Sequence, residues 1–288
     1  MSSTIANHWV IRDRQFIWGD RTYLMGVLNI TPDSFSDGGQ FNSRDTALNQ
    51  VAQMFPYIDI LDIGGESTRP NAQTVSADEE CDRILPIIKV VREKYPNLPI
   101  SVDTVKANVA KAAIAAGADM INDVSAGRFD PDMLPLVGRL QVPICLMHMQ
   151  GEPRTMQINP QYRDVVQDIK KFLVEAISIA KACGIPKHLI AIDPGIGFGK
   201  TLNHNLDILK NLRAFQDIGT PLLLGVSRKS FIGKLCDRAE PSDRLFGTIA
   251  ACSACIAGGA DILRVHDPKE IVDACRVSDA IFRDAIFR

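Results

Sequence analysis

The feature that most constrains this chain is a pattern that recurs eight times along it. Each copy has a short apolar run, then one or two polar residues, then a turn that contains Gly or Ser. The copies are LMGVLNITPDSFSDGG, YIDILDIGGESTRP, PISVDT, DMINDVSAG, PICLMHMQG, LIAIDPGIGFGK, PLLLGVSRKS and DILRVHD. Continuous apolar runs separated by helical segments are typical of parallel strands that are buried on both faces. Eight such strands with their polar residues at one end predict an α/β protein, a single (β/α)8 TIM barrel with its site at that end.

The domain organisation follows from the length of the chain and from its first segment. The chain has 288 residues, 46% of them hydrophobic, and a barrel of this size commonly forms one domain. Residues 1–22 precede the first run and contain two short apolar segments, WVI and FIW. They predict a β-hairpin that covers the floor of the barrel. We therefore expect a hairpin appendage at 1–22 and a (β/α)8 barrel at 23–288, as one domain overall.

Charge and cysteine content narrow the functional classes. A net charge of -2 favours neither nucleic acid nor a membrane surface as the main partner. No apolar run has transmembrane length and no signal peptide precedes the barrel, so we expect a cytoplasmic protein. The seven cysteines lie mostly in apolar segments. Cys252 and Cys255 form a CxxC, but within a small-residue helix, where buried thiols are expected rather than a redox or zinc site.

The segment DPGIGFGKT resembles a phosphate-binding loop at first sight. A P-loop would require Gly where Pro194 stands, and the segment also lacks the GxGxxG spacing of a dinucleotide-binding fold. We expect instead that Gly195, Gly197 and Gly199 allow the backbone and Phe198 to approach a flat ligand closely.

Three polar residues at strand ends are the best candidates for ligand recognition: Asp103, Asn122 and Asp193. Each alone is better explained as a helix cap or a loop hydrogen-bonding residue. Together around one barrel mouth, carboxylates accept hydrogen bonds and the amide both donates and accepts. The set therefore favours a heterocycle such as guanine or pterin.

A second set at the same strand ends is basic, and it comprises Arg69, Arg228, Lys229, Arg264 and His266. Arg264 and His266 are two residues apart, so both point to the same side of the last strand. This set predicts an anionic group near the ring. SRKS also precedes a helix, so Ser230 and free backbone N–H groups are expected to hold a second small anion, such as a carboxylate.

Eight segments match one known family in their order and spacing: LNITPDSFSDGG, DIGGESTRP, SVDT, IND, CLMHMQG, DPGIGFGK, GVSRKS and RVHD. In these segments the chain resembles the bacterial dihydropteroate synthases, of the pterin-binding enzyme family. The resemblance covers about Tyr23 to Ala280. It implies a transferase of folate biosynthesis that condenses 6-hydroxymethyl-7,8-dihydropterin pyrophosphate with p-aminobenzoate, by dissociative loss of pyrophosphate and then attack of the amine. It also implies Mg2+ as cofactor, a homodimer that pairs through outer helices, and sulfonamides as inhibitors.

The resemblance implies a role for each matching residue. The catalytic residues would be Asn29, Asp103, Lys229, Arg264 and His266. The pterin would be bound by Asp103, Asn122, Met147, Asp193, Phe198, Gly225, Lys229 and Arg264. The pyrophosphate would be bound by Asn29, Thr68, Arg69, Arg264 and His266, with Mg2+ at Asn29. The p-aminobenzoate would be bound by Phe35, Thr68, Arg69, Pro70, Phe198, Lys229 and Ser230.

Three alternatives remain open from the sequence. A pterin-dependent corrinoid methyltransferase has the same barrel and much of the same pterin-binding set, and cobalamin dependence would distinguish it. A catalytically silent pterin-binding paralogue would bind pterin without turnover. A sugar-phosphate aldolase would use a Schiff-base lysine, for which Lys229 is the candidate, and borohydride would then trap a carbonyl substrate on it.

Overall fold

The computed structural model describes residues 8–30, 40–67 and 74–283, with the backbone alone for residues 40–43. Four residues predicted to bind p-aminobenzoate lie outside the described residues: Phe35, Thr68, Arg69 and Pro70. Within the described ranges, no helix is both long and apolar enough to cross a membrane.

Ten strands are present in the described residues. An antiparallel hairpin comes first, with β1 at His8–Ile11 and β2 at Arg14–Ile17. The others are β3 (Tyr23–Asn29), β4 (Ile60–Gly64), β5 (Ile100–Asp103), β6 (Met120–Asp123), β7 (Ile144–Met147), β8 (Ile190–Asp193), β9 (Leu223–Leu224) and β10 (Ile262–Val265). Strands β3 to β10 pair in parallel in the order β8-β7-β6-β5-β4-β3-β10-β9. A bridge between Ile192 and Leu222 joins the two edges, which confirms the predicted barrel.

Nine α-helices alternate with these strands in the described part of the chain. They are α1 (Gln40–Met54), α2 (Ala77–Lys94), α3 (Ala107–Ala116), α4 (Met133–Leu140), α5 (Val165–Ala182), α6 (Leu202–Lys210), α7 (Ser230–Cys236), α8 (Leu245–Ala257) and α9 (Pro268–Phe282). Short 3-10 helices lie at Phe55–Tyr57, Lys187–Leu189, Leu212–Ile218 and Pro241–Arg244. Local signals fix several ends: the Ser76 hydroxyl accepts from the Glu79 backbone N–H before α2, and the Asp164 carboxylate caps α5.

The hairpin covers the floor of the barrel. Trp9 and Phe16 are buried together with Tyr23, and the Trp9 indole Nε1–H donates to the His188 carbonyl oxygen at 2.5 Å. These rings join an apolar layer inside the barrel, formed by Met25, Ile60, Met120, Cys145, Ala191, Leu223 and Ile262. The predicted hairpin is confirmed, and the domain boundary at residue 22 stays a prediction.

The alternation of side chains along each strand positions the site. Residues two positions beyond the apolar layer face the same interior, one layer closer to the carboxyl ends of the strands. That next layer contains Asp62, Asn122, Met147, Asp193, Gly225 and Arg264, and Asp103, the register neighbour of Asn122, belongs to it as well. The barrel therefore changes from an apolar floor to a polar upper layer within one step of the pleat.

The CxxC lies in α8. Cys252 and Cys255 are fully buried free thiols, and burial raises the pKa of both. The thiolate form, which redox and zinc chemistry require, is therefore disfavoured. The prediction of buried thiols is confirmed.

Candidate active site

Arg264 on β10 lies at the centre of the polar layer. Its Nε donates to Asp62 Oδ2 at 2.6 Å and its Nη2 donates to Asp103 Oδ2 at 2.7 Å. Asp62, on β4, is fully buried. It is absent from the set predicted from sequence, although a carboxylate within the apolar run ILDIG was a signal that could have found it.

Asp103 and Asn122 are neighbours across the sheet. They are paired in the register of β5 and β6, and the Asn122 Nδ2 donates to Asp62 Oδ2 at 3.4 Å. Burial raises the pKa of Asp103 to about 7, and the Arg264 guanidinium acts in the opposite direction. A carboxylate that is buried and ion-paired in this way is close to the balance between its two protonation states near neutral pH.

Asp193 ends β8 and is tied to the segment that follows it. Its Oδ1 accepts from the Gly195 backbone N–H at 2.7 Å. Burial raises the pKa of Asp193 to about 6, while that hydrogen bond and the charge of Lys229 lower it. Residues 195–200, which we call the glycine loop, then curl back towards the end of β7.

Lys229 and Phe198 meet at the edge of the polar layer. The Lys229 Nζ lies 4.1 Å from the centroid of the Phe198 ring, a cation–π distance. Burial lowers the pKa of Lys229 to about 8. Phe198 packs against a buried cluster that includes Met147 and Met149. Gly225 lies beside Arg264, and a Cβ at Gly225 would be 4.0 Å from the Arg264 Cβ.

His266 lies at the carboxyl end of β10. Its Nδ1 is 3.0 Å from the Ser227 hydroxyl oxygen, which also accepts from the His266 backbone N–H. Burial, and then the charge of Arg264, lower the pKa of His266 to about 3. This direction favours a neutral imidazole, and the prediction that His266 lies beside an anionic group stays a prediction.

The remaining predicted residues lie around the rim. Asn29 ends β3 half-buried, and its strand neighbour Gly64 is in turn paired with Asp103. Arg228 forms a bidentate ion pair with Asp267, so its charge is already matched within the protein. Ser230 is exposed as the first residue of α7.

The structure thus brings eight predicted residues into one connected set. These are Asp103, Asn122, Met147, Asp193, Phe198, Gly225, Lys229 and Arg264. Two carboxylates, one amide and two cations lie together at the mouth of the barrel, beside the side chains of Met147 and Phe198. Such an arrangement can hold a flat heterocycle by its N–H groups and an anion beside it.

Comparison with known proteins agrees with this chemistry. Residues 25–266 match the model of a family described as pterin binding enzyme. Dihydropteroate synthase of Synechocystis is 48% identical over 93% of both chains. Dihydropteroate synthase of Clostridium difficile, solved in the presence of pteroic acid, is 45% identical, with a TM-score of 0.88 over 93% of this chain and 99% of that one. The Xanthomonas albilineans enzyme, solved with 4-aminobenzoic acid, is 44% identical, with a TM-score of 0.86 over 93% and 95%.

The barrel, the polar layer at its mouth and these similarities lead to one assignment. This chain belongs to the pterin-binding enzyme family, among the dihydropteroate synthases.

Proposed function

We propose that the protein condenses 6-hydroxymethyl-7,8-dihydropterin pyrophosphate with p-aminobenzoate, which gives 7,8-dihydropteroate and pyrophosphate in folate biosynthesis. The observation that carries this proposal is the polar layer, in which Asp103, Asn122 and Asp193 surround Arg264 at the mouth of the barrel. The relatives named dihydropteroate synthase, with their pteroic acid and 4-aminobenzoic acid complexes, support it.

Recognition of the pterin is proposed to depend on the protonation of the layer. Ionised Asp103 and Asp193 accept hydrogen bonds from ring N–H groups, and Asn122 supplies both a donor and an acceptor. Arg264 packs on or beside the ring, with Met147 and Phe198 along its faces. Because these acceptors are buried, a ligand that cannot donate to them would leave them unpaired, which penalises its binding.

The pyrophosphate is proposed to lie near Asn29, Arg264 and His266. A neutral His266 whose Nδ1 accepts from the Ser227 hydroxyl presents Nε2–H as a donor to an anion. Asn29 at the end of β3 offers an amide oxygen, a hard ligand that suits Mg2+, which commonly binds through few protein groups and substrate phosphates. Bound there, Mg2+ would neutralise the negative charge of the leaving group.

The proposed reaction is a dissociative substitution. The bond between the pterin methylene carbon and the pyrophosphate oxygen breaks first, and its electrons leave with pyrophosphate. The dihydropterin ring shares the positive charge that remains on the methylene. The Asp103 carboxylate stabilises this charge, and the aryl amine of p-aminobenzoate then attacks the methylene carbon and loses a proton.

The p-aminobenzoate site stays a prediction that the sequence resemblance supports. Lys229 and Phe198 are proposed to contact its ring, and Ser230 its carboxylate at the start of α7. The other predicted contacts are Phe35, Thr68, Arg69 and Pro70. We also propose a homodimer and a cytoplasmic location, both on the resemblance to this family.

The experiment that tests the proposal supplies the dihydropterin pyrophosphate and Mg2+, with and without p-aminobenzoate, and follows pyrophosphate release and dihydropteroate. We expect release coupled to product in the complete mixture, and loss of product when p-aminobenzoate is omitted. Pterin binding without turnover would instead indicate a silent paralogue. Methyl transfer that requires a cobalamin would indicate the corrinoid relative.

A further inference from the structure

Lys200 is a buried lysine to which neither the sequence resemblance nor the proposed mechanism gives a role. Burial lowers the pKa of its amine well below the usual lysine range, and the negative charge of Asp193 acts in the opposite direction. It ends the glycine loop, and only 3% of its surface is exposed. Its Nζ donates to the Phe198 carbonyl oxygen at 2.8 Å and lies 3.0 Å from the His148 Nδ1. The His148 carbonyl oxygen is a third acceptor, at 3.4 Å. The ammonium group therefore joins the loop to the segment that follows β7.

His148 is well placed to receive this contact. Its own backbone N–H donates to the Asp193 carbonyl oxygen at 2.9 Å, and its ring packs edge-on against Phe172 at 4.8 Å. Burial and the charge of Lys200 lower the pKa of His148 to about 2, so the imidazole is neutral and its Nδ1 is free to accept. The His148 imidazole is thus held in position by a backbone hydrogen bond to β8 and by packing against α5.

The loop that Lys200 holds carries a residue of the candidate site. Phe198 lies two residues before Lys200, and the Phe198 ring is the surface on which the Lys229 ammonium rests. The Phe198 backbone is fixed from both sides, because its N–H donates to the Gly195 carbonyl oxygen at 3.1 Å and its carbonyl accepts from Lys200. A displacement of the Lys200 ammonium would therefore change the position of the Phe198 ring and of Lys229.

Lys200 also contributes to the charge around Asp193. The charged groups that act on this carboxylate are Lys200 in its own loop, Lys229 before α7 and Arg264 on β10. The Cys145 thiol on β7 and the Cys255 thiol on α8 face it as well, and burial keeps both protonated. Lys229, Arg264 and the protonated form of Lys200 thus favour the ionised form of a carboxylate that burial disfavours, and ionised Asp193 in turn favours the protonated form of Lys200.

We propose that Lys200 is a positioning residue for the pterin pocket, which fixes Phe198 beneath Lys229 and places a positive charge behind Asp193. This inference rests on the proposed function. The class of ligand that it serves is the pterin ring, since a pterin must donate to an ionised Asp193 and lie beside Phe198. Lys200 touches neither substrate in this proposal and acts through those two residues.

The test compares the wild type with Lys200→Met, which retains the length of the side chain and removes its charge and its hydrogen bonds. The probe is 6-hydroxymethylpterin, which lacks pyrophosphate, and its dissociation constant is measured by calorimetry across the acid and neutral pH range. Lys210→Met, at an exposed lysine of α6, is the matched control. Circular dichroism establishes that each variant is folded.

We expect Lys200→Met to weaken probe binding by about tenfold or more, because Phe198 is no longer held in position and Asp193 loses a neighbouring charge. Removal of a neighbouring cation raises the pKa of Asp193, so the loss of binding at acid pH should begin about one pH unit higher than in the wild type. Wild-type binding in Lys200→Met would overturn the inference. So would weaker binding with an unshifted acid limb, since that is the result of altered packing alone.

A second variant covers the case in which Lys200→Met does not fold. His148→Leu removes one acceptor and keeps the Lys200 charge, so probe binding should weaken while the acid limb stays near its wild-type pH. Unaltered affinity in His148→Leu would overturn the inference. Absence of probe binding by the wild type at every pH would overturn the proposed function and this inference together. Normal turnover by both the wild type and Lys200→Met would overturn the inference alone.

Discussion

At the scale of single residues, one guanidinium joins two buried carboxylates of the candidate site. Arg264 donates to two buried carboxylates, at 2.6 Å to Asp62 and 2.7 Å to Asp103. One positive charge shared between two buried negative charges leaves each only partly compensated. Burial therefore still raises the pKa of Asp103, despite its ion pair.

The first prediction concerns the negative charge of Asp103. Asp103→Asn keeps the shape of the side chain but removes the carboxylate that is proposed to stabilise the pterin cation. We expect kcat with both substrates saturating to fall by roughly 100-fold, as when one charge-stabilising group is removed from other active sites. Asp273→Asn, at an exposed position of α9, is the control. Full turnover by Asp103→Asn would exclude the proposed role.

The second prediction concerns pH. The pKa values of Asp193 and Asp103 are raised to about 6 and about 7, so both carboxylates take up protons and lose acceptor capacity as the pH falls through this range. The pKa of Lys229 is lowered to about 8, so its charge is lost as the pH rises above that value. We expect kcat/KM for the pterin substrate to be bell-shaped, with its maximum between the two limbs.

The measurement is a pH profile of kcat/KM under constant ionic strength. Because the substrate's phosphate groups also titrate, the same limbs should be measured in the binding of 6-hydroxymethylpterin, which has no phosphate. A flat profile for that ligand from acid to neutral pH would show that neither carboxylate changes its protonation in this range.

At the scale of elements, the glycine loop is shaped by the protein's own backbone. Gly195, Gly197 and Gly199 all have positive φ angles. A Cβ at Gly195 would lie 1.9 Å from the His148 carbonyl oxygen, and one at Gly199 would lie 2.5 Å from that of Gln150. Gly195 and Gly199 thus allow the loop to pack against the segment after β7, whereas a Cβ at Gly197 would lie 3.2 Å from the Lys229 Cδ. The approach of a flat ligand to these glycines stays a prediction.

Gly195→Ala is the prediction at this scale. The left-handed conformation, with φ of +71°, costs a non-glycine residue energy by itself, and the clash with His148 adds to it. We expect the free energy of unfolding to fall by about 2 kcal/mol or more, with weaker pterin binding. Gly184→Ala is a matched control, because Gly184 has φ of +88° but no atom within 4 Å of its Cβ position. Equal losses in the two variants, measured by urea unfolding, would exclude the clash.

At the scale of the whole molecule, the packed rings of the hairpin and the candidate ligand-binding residues lie at opposite ends of the barrel. The hairpin rings and the apolar layer close the floor, while the titratable residues occupy the mouth. A barrel interior filled in layers separates the two ends. Changes at the floor should therefore affect folding and leave the chemistry of the folded molecule unchanged.

Trp9→Ala tests this separation. The variant removes a buried indole and its hydrogen bond to His188, and we expect the free energy of unfolding to fall by about 3–5 kcal/mol. The kcat per folded molecule should stay close to the wild-type value. Val10→Ala, at the next and exposed position of β1, should change stability by less than about 0.5 kcal/mol. A large loss of kcat in folded Trp9→Ala would contradict the separation.

The sequence by itself determined the architecture and most of the candidate site. Apolar runs that each end in polar residues encode the period and direction of the strands, and parallel strands bring their carboxyl ends to one place. Asp103, Asn122, Asp193 and Arg264 could therefore be assigned to one mouth without coordinates. Motifs this long also carry the family, because each requires particular residue types at fixed spacing.

Only the tertiary structure decided how these residues are paired and charged. Asp62 lies within an apolar run, and its partner Arg264 is 202 positions away, so no local pattern could join them. The pKa of His266 is lowered because burial and neighbouring cations act on it, and Lys200 joins two segments because His148, after β7, supplies two of its three acceptors. Periodicity along a chain specifies which face a side chain takes. Its partner and its protonation depend on distances between segments, which are set only when the barrel closes.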